Sequence, residues 1–212
     1  MTGGKPYIVG LTGGIASGKS HVARALVMAG RELGVAGRVI DSDVLAAEAW
    51  EDKGCRAVLT SLLGEAVVPP LPGRVDRGAV AAAIFGNEAL RKRVEAVIHP
   101  YVAGRRQQLL AEGGVGLFVL DSPLLLESGL GASCDAVVFV DTPEAVRRQR
   151  AAARGWSEEA LASREAAQWP MDRKRFHANH YIKGTYGDVE LRAACRDLLE
   201  VLGLRGRGAG RD

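Results

Sequence analysis

The chain has 212 residues, with 28 Lys and Arg against 25 Asp and Glu, 47% apolar residues and 25% charged ones. That balance excludes wholesale disorder, and the length supports one sizeable core, or a domain with a small satellite. A net charge of +3 gives no argument for a nucleic-acid partner, and no apolar run approaches the about 20 residues that a membrane helix needs.

In chain order, Tyr7–Thr12 is a short apolar run followed by a Gly-rich turn and a helical stretch from about Gly18 to Ala29. Arg38–Asp41 is a second apolar run, Gly116–Asp121 a third and Asp135–Asp141 a fourth, with His180–Ile182 a weaker fifth. Each of the first four is apolar nearly throughout rather than alternating, as strands covered on both faces are. Strands separated by helical patterns predict βαβ units and an α/β, doubly wound parallel sheet. Residues about 44–112 carry helical patterning across a loop with Pro69, Pro70, Pro72 and Gly73, too long for one crossover, and are expected to form an inserted helical subdomain. Residues about 143–178 are helical and Arg-rich. Thr142-Pro143-Glu144 and Ser157-Glu158-Glu159 read as helix starts, each with a hydroxyl cap and acid in the first turn. The core then comprises about 7–43, 114–142 and 179–203, and a Gly/Arg-rich tail, 204–212, is expected to fray.

Cys55, Cys134 and Cys195 are dispersed and odd in number, and no Cys-x-x-Cys occurs. Neither a zinc site nor a disulfide framework is expected. Met1 to Pro6 carry no apolar stretch of the secretory type. A cytoplasmic location is the expectation.

The sharpest motif is Gly13-Gly14-Ile15-Ala16-Ser17-Gly18-Lys19-Ser20, which satisfies G-x-x-x-x-G-K-[ST] in full, with an apolar run before it and a helical pattern after it. Glycines let the backbone amides converge on phosphate oxygens, and the following helix adds the positive end of its dipole. Lys19 is expected to reach the β- and γ-phosphates and the Ser20 hydroxyl to ligate Mg²⁺. A nucleoside triphosphate with Mg²⁺ is therefore expected. The guanine-reading Asn-Lys-x-Asp of a GTPase and the signature of an ABC-type ATPase are absent, so a small-molecule kinase is the reading. Ligands of open α/β sheets bind beyond the carboxyl ends of the strands, where two acidic sites fall. Asp41-Ser42-Asp43 allows one acid to cap a helix while the other takes the proton of an incoming hydroxyl. Asp121 ends Gly116–Asp121 in the manner of a Walker-B acid. Arg150 and Arg154 are four apart, hence on one helix face, and can stabilise migrating phosphoryl charge.

The phosphate loop, Val39-Ile40-Asp41-Ser42-Asp43, Asp76-Arg77, Ile84-Phe85, Ile98-His99-Pro100, Asp121-Ser122-Pro123-Leu124-Leu125-Leu126-Glu127, the Arg150/Arg154 pair and Ala167-Gln168 together resemble the dephospho-CoA kinase family, over roughly residues 7–200. The resemblance implies phosphorylation of the ribose 3′-hydroxyl of dephospho-CoA by ATP, giving coenzyme A and ADP. It also implies a nucleotide core, a helical acceptor-side insertion and a helical lid. It implies Asp43 as the general base, with Lys19, Arg150 and Arg154 neutralising the transferred group. Asp41, Arg77, His99 and Asp121 fall on the acceptor side, and Gly13–Ser20 with His21 on the nucleotide. The small-molecule partner is dephospho-CoA, with no nucleic acid and no membrane; a monomer or weak oligomer is expected. His99 has a second reading as a capping or core histidine before a Pro-bounded turn.

Several positions depart from the family pattern. Ala16 replaces the third glycine and is tolerable only with a negative φ. His21 stands where Thr is usual, and Ala47 where Arg or His commonly follows Asp-x-Asp. Gly184 stands at an Asn position near the adenine, leaving backbone groups to read the base. These departures keep two alternatives open: a P-loop kinase acting on a nucleoside or sugar, and a nucleotide-binding paralogue without catalysis.

Overall fold

The computed structural model describes residues 5–112, 114 and 116–205. Most of the expected tail, 206–212, lies outside the described residues. The chain divides into two compact units, one of residues 1–41 with 112–212, the other of residues 42–111.

The first unit is built on a parallel sheet of β1 (Tyr7–Thr12), β2 (Gly37–Asp41), β3 (Leu117–Asp121), β4 (Ala136–Asp141) and β5 (His180–Lys183), in the order β2-β3-β1-β4-β5. The central strands are buried on both faces, which is why their sequences run apolar without alternation. β5 buries only Ile182, so its sequence signal is weak. The main core packs Val9, Leu11, Leu117, Val119, Val138 and Val140 of the sheet against α1 (Lys19–Glu32) and α9 (Asp188–Val201). Register matters for the site: Asp41 of β2 pairs with Asp121 of β3, and Leu11 of β1 with the same Asp121. Both acids therefore end their strands level with the start of the phosphate loop. The connection from β1 runs to β2 on one side, and that from β4 to β5 on the other. The crevice at the carboxyl ends of β1 and β4 is thus a topological switch point.

α1 runs three residues past the expected end at Ala29. Gly30 does not stop it; Gly34, with φ 75°, does, as Gly34 N–H donates to Arg31 O and Val35 N–H to Gly30 O. The Arg-rich region folds as α6 (Glu144–Ala153), α7 (Glu158–Ala166) and α8 (Met171–Phe176). α7 starts as its sequence predicts, with the Ser157 hydroxyl accepting from Ala160 N–H. α6 does not. Its N-cap is Pro143, without a side-chain bond, because the Thr142 hydroxyl is used elsewhere.

The second unit holds α2 (Ser42–Ala49), α3 (Lys53–Leu63), α4 (Arg77–Ile84) and α5 (Glu88–Ala111) around Trp50, Leu59, Val68, Val80 and Val94. Asp52 caps α3 through Cys55 N–H, and Asp76 caps α4 through Ala79 N–H. The expected turn at His99-Pro100 does not form: α5 continues through Pro100. Both residues are exposed, so water can satisfy the carbonyl that the missing proline N–H leaves open.

Candidate active site

Residues Gly13 to Gly18 connect β1 to α1 and are buried or half-buried. The turn closes through Ser17 N–H to Gly14 O, and α1 begins from Gly18, which adopts a left-handed φ of 97°. The start of a helix leaves backbone amides outside its own ladder, the arrangement that suits phosphate oxygens. Lys19 Nζ donates to Gly14 O at 2.9 Å and Gly13 O at 3.2 Å, holding its charge over the loop. Ala16 departs from expectation: its φ is +58°. An L-residue in that region costs about 1–2 kcal/mol. The side chain is held in place by a small apolar cluster with Ile15, Ala151 and Leu161.

Asp121 is buried, and the nearby Ser20 hydroxyl favours its ionised form. Burial, with Asp41 adding to it, pushes its carboxyl above the usual range, against the opposing pull of Ser20, Lys19 and Arg24. A hydroxyl beside a carboxylate is a hard-oxygen pair of the kind that Mg²⁺ takes. Among the described residues, no group of three or more His, Cys, Asp or Glu makes a self-sufficient metal cage. The donor set thus fits an ion that draws its remaining ligands from nucleotide and water.

The loops after β4 and β5 are tied to the phosphate loop. The Thr142 hydroxyl donates to Ser17 O at 2.8 Å, which is why it does not cap α6. Arg150 donates to Ser17 O at 3.1 Å and to Gly184 O at 2.8 Å. Position 184 must be glycine here: a Cβ would lie 2.1 Å from Thr142 Oγ1 and 2.3 Å from Ser17 O. The Asn of the family pattern therefore has no room in this chain. Arg154 lies just beyond the end of α6, because Gly155 (φ 77°) closes the helix through Ala152 O and Trp156 N–H reaches Ala151 O. Arg154 is thus the C-cap of α6, four residues after Arg150.

Sequence reasoning missed Arg147. It is buried, pairs with Glu165, reaches Ile15 O at 3.5 Å, and packs against Gly14 so closely that a Cβ there would lie 2.8 Å from Nη1. Nothing in a run of arginines says which one turns inward. His21, at the usual Thr position, meets Asp188 at 3.4 Å.

In the second unit, Asp43 lies in the first turn of α2. Arg77 stacks over the Trp50 ring at 4.5 Å and borders a cleft of about 1050 Å³ with Ala47, Glu48, Glu51, Tyr101 and Arg105. Ala47, the departure from the family pattern, forms part of that cleft's wall. His99 is exposed on α5, which removes its reading as a core histidine.

Comparison with known proteins agrees with this geometry. The family model for dephospho-CoA kinase matches residues 7–187. A dephospho-CoA kinase of Thermobifida fusca is 36% identical over 197 residues, covering 92% of this chain and 95% of that protein. A crystal structure from Thermus thermophilus, 37% identical, superposes with a TM-score of 0.75 over 94% of this chain and 98% of that one. A dephospho-CoA kinase structure from Campylobacter jejuni, 23% identical, shares the fold with a TM-score of 0.63 over 92% and 96% of the two chains. Sheet order, phosphate loop, paired strand-end acids and full-length matches converge on one assignment: the chain belongs to the dephospho-CoA kinase family.

Proposed function

We propose that the chain transfers the γ-phosphoryl group of ATP to the ribose 3′-hydroxyl of dephospho-CoA, releasing coenzyme A and ADP. As a member of this family the chain is a kinase. The observation that carries the reading is the phosphate loop, with Asp121 buried near Ser20 at its mouth and Asp41 level with it in the sheet.

Residues 13–20 with His21 bind the triphosphate, and Lys19 moves from the Gly13 and Gly14 carbonyls to the β- and γ-phosphate oxygens. Ser20, backed by Asp121, would hold Mg²⁺, which when bound offsets charge on the phosphates. Asp43 takes the proton of the attacking hydroxyl, with Asp41 beside it in sequence. Arg77 and His99 act on the acceptor. Arg150, anchored on the loop carbonyls, and Arg154 offset charge spreading over the equatorial oxygens. Most of the catalysis is positioning and charge stabilisation.

The chain works in the cytoplasm as a monomer or weak oligomer, with neither nucleic acid nor membrane as partner. Among the described residues no helix is long and apolar enough to cross a membrane.

Incubation with ATP, Mg²⁺ and a panel of acceptors tests the proposal. ADP and a product one phosphoryl group heavier should form with dephospho-CoA. Product only from a nucleoside or sugar would reassign the acceptor, and nucleotide binding with no product at all would mean a non-catalytic paralogue. Asp43→Asn should lower kcat about 10²–10⁴-fold with ATP affinity unchanged by calorimetry. Unchanged turnover would remove Asp43 as the base.

A further inference from the structure

A lysine on a six-residue surface helix is an unexpected place for a buried charge. Lys174 of α8 is 1% exposed. Its ammonium meets Glu127 Oε1 at 3.1 Å, Gln168 Oε1 at 2.7 Å and Pro123 O at 3.5 Å, which uses all three of its donors. Glu127 Oε1 also accepts from Trp169 N–H at 2.8 Å. Glu127 and Pro123 belong to the loop that leaves β3 directly after Asp121, while Gln168 and Trp169 follow α7. Glu127 Oε2 is buried with no hydrogen-bond partner, so the pair is not fully compensated. Burying two charges costs several kcal/mol per ion before pairing, and apolar residues of similar volume often serve stability as well or better. Stability alone is therefore a poor account of this pair.

Its place in the fold supplies a better one. Glu165, three residues before Gln168, pairs with Arg147, and the Arg147 guanidinium lies on Gly14 and Ile15 of the phosphate loop. The stretch from 165 to 174 is thus fixed at two charged points. One leads through Arg147 to the loop that cradles phosphate, the other through Glu127 to the loop that carries Asp121. We propose that Glu127 and Lys174 are a positioning pair, which braces residues 165–174 between the phosphate loop and the Asp121 loop and so sets the spacing of the groups that hold the triphosphate and its metal ion. The pair touches neither loop's reacting groups; it acts through the segment that it fixes. The inference rests on the kinase reading above.

Glu127→Gln keeps the acceptor for Trp169 N–H and removes the charge. Glu127→Met with Lys174→Met replaces the pair by apolar bulk, a change that buried ion pairs tolerate in folding. In both variants kcat with dephospho-CoA should fall about tenfold or more, while KM for ATP and for dephospho-CoA stays within about threefold. Amide hydrogen exchange in the free protein should quicken across residues 13–20, which neither side chain touches. Turnover within about twofold of wild type, or faster exchange confined to 168–174, would overturn the proposal and leave the pair a local structural contact. Should the wild-type protein itself phosphorylate no dephospho-CoA, the kinase reading falls, and exchange across 13–20 in the two variants still decides whether the brace exists.

Discussion

Asp121 is where folding and chemistry pull in opposite directions. Its carboxyl is raised by burial and by Asp41, so the stability associated with its neutral form is present below the ordinary aspartate range and is lost as pH rises through the folded value. The ionised form is therefore the one that its surroundings resist. Asp121→Asn should therefore raise the urea midpoint at pH 7, with a smaller gain near pH 4. Under the proposed function it should also cost about 10–100-fold in activity, because Asp121 would no longer support Ser20 as a metal ligand. A drop in the midpoint at pH 7 would mean that the Ser20 and Lys19 contacts outweigh burial. Ala16 offers the converse case. With φ at +58°, Ala16→Gly relieves about 1–2 kcal/mol of backbone strain and gives back about 0.5–1 kcal/mol in unfolded-chain entropy. A slightly higher urea midpoint is expected, and a fall would show that the methyl contacts with Ala151 and Leu161 matter more.

Among the elements, the loops after β1, β4 and β5 form one interlocked group. Gly184→Ala should force Thr142 and Ser17 apart and weaken ATP binding about tenfold or more, a misplacement effect measurable by calorimetry; unaltered affinity would show that the three loops move independently. This group also shows what the sequence could convey. The phosphate loop was legible because its chemistry is local: glycines, a lysine and a hydroxyl at fixed spacing between a strand and a helix. The strands were legible because double burial leaves a continuous apolar run. Thr142 was misread as a cap because hydroxyl-Pro-acid is a good local helix start, and only tertiary structure shows Ser17 O taking its hydrogen. The α1 terminus was misplaced because Gly30 and Gly34 look alike in sequence, and only the second adopts the left-handed turn. Arg147 and Lys174 were illegible for the same reason. A cation that turns inward leaves no mark in a stretch rich in Arg and Glu.

At the scale of the molecule, the chain packs as two units. Leu59 is fully buried in the core of the helical unit. Leu59→Ala should cost about 2–5 kcal/mol, seen as an early thermal transition, while ATP binding by the sheet unit persists through that transition. Loss of ATP binding in parallel with it would show that the two units unfold as one. The sheet that carries the nucleotide site also has two open margins. β2 and β5 are its outer strands, only five and four residues long. Each bears a cation, Arg38 on the first, tied to Glu112, and Lys183 on the second. A stray chain seeking to extend the ladder would find too few backbone groups to hold and a charge to desolvate at either side. A parallel sheet that assembles slowly from distant segments is most exposed to such pairing, and these brief, charged borders guard it against aggregation.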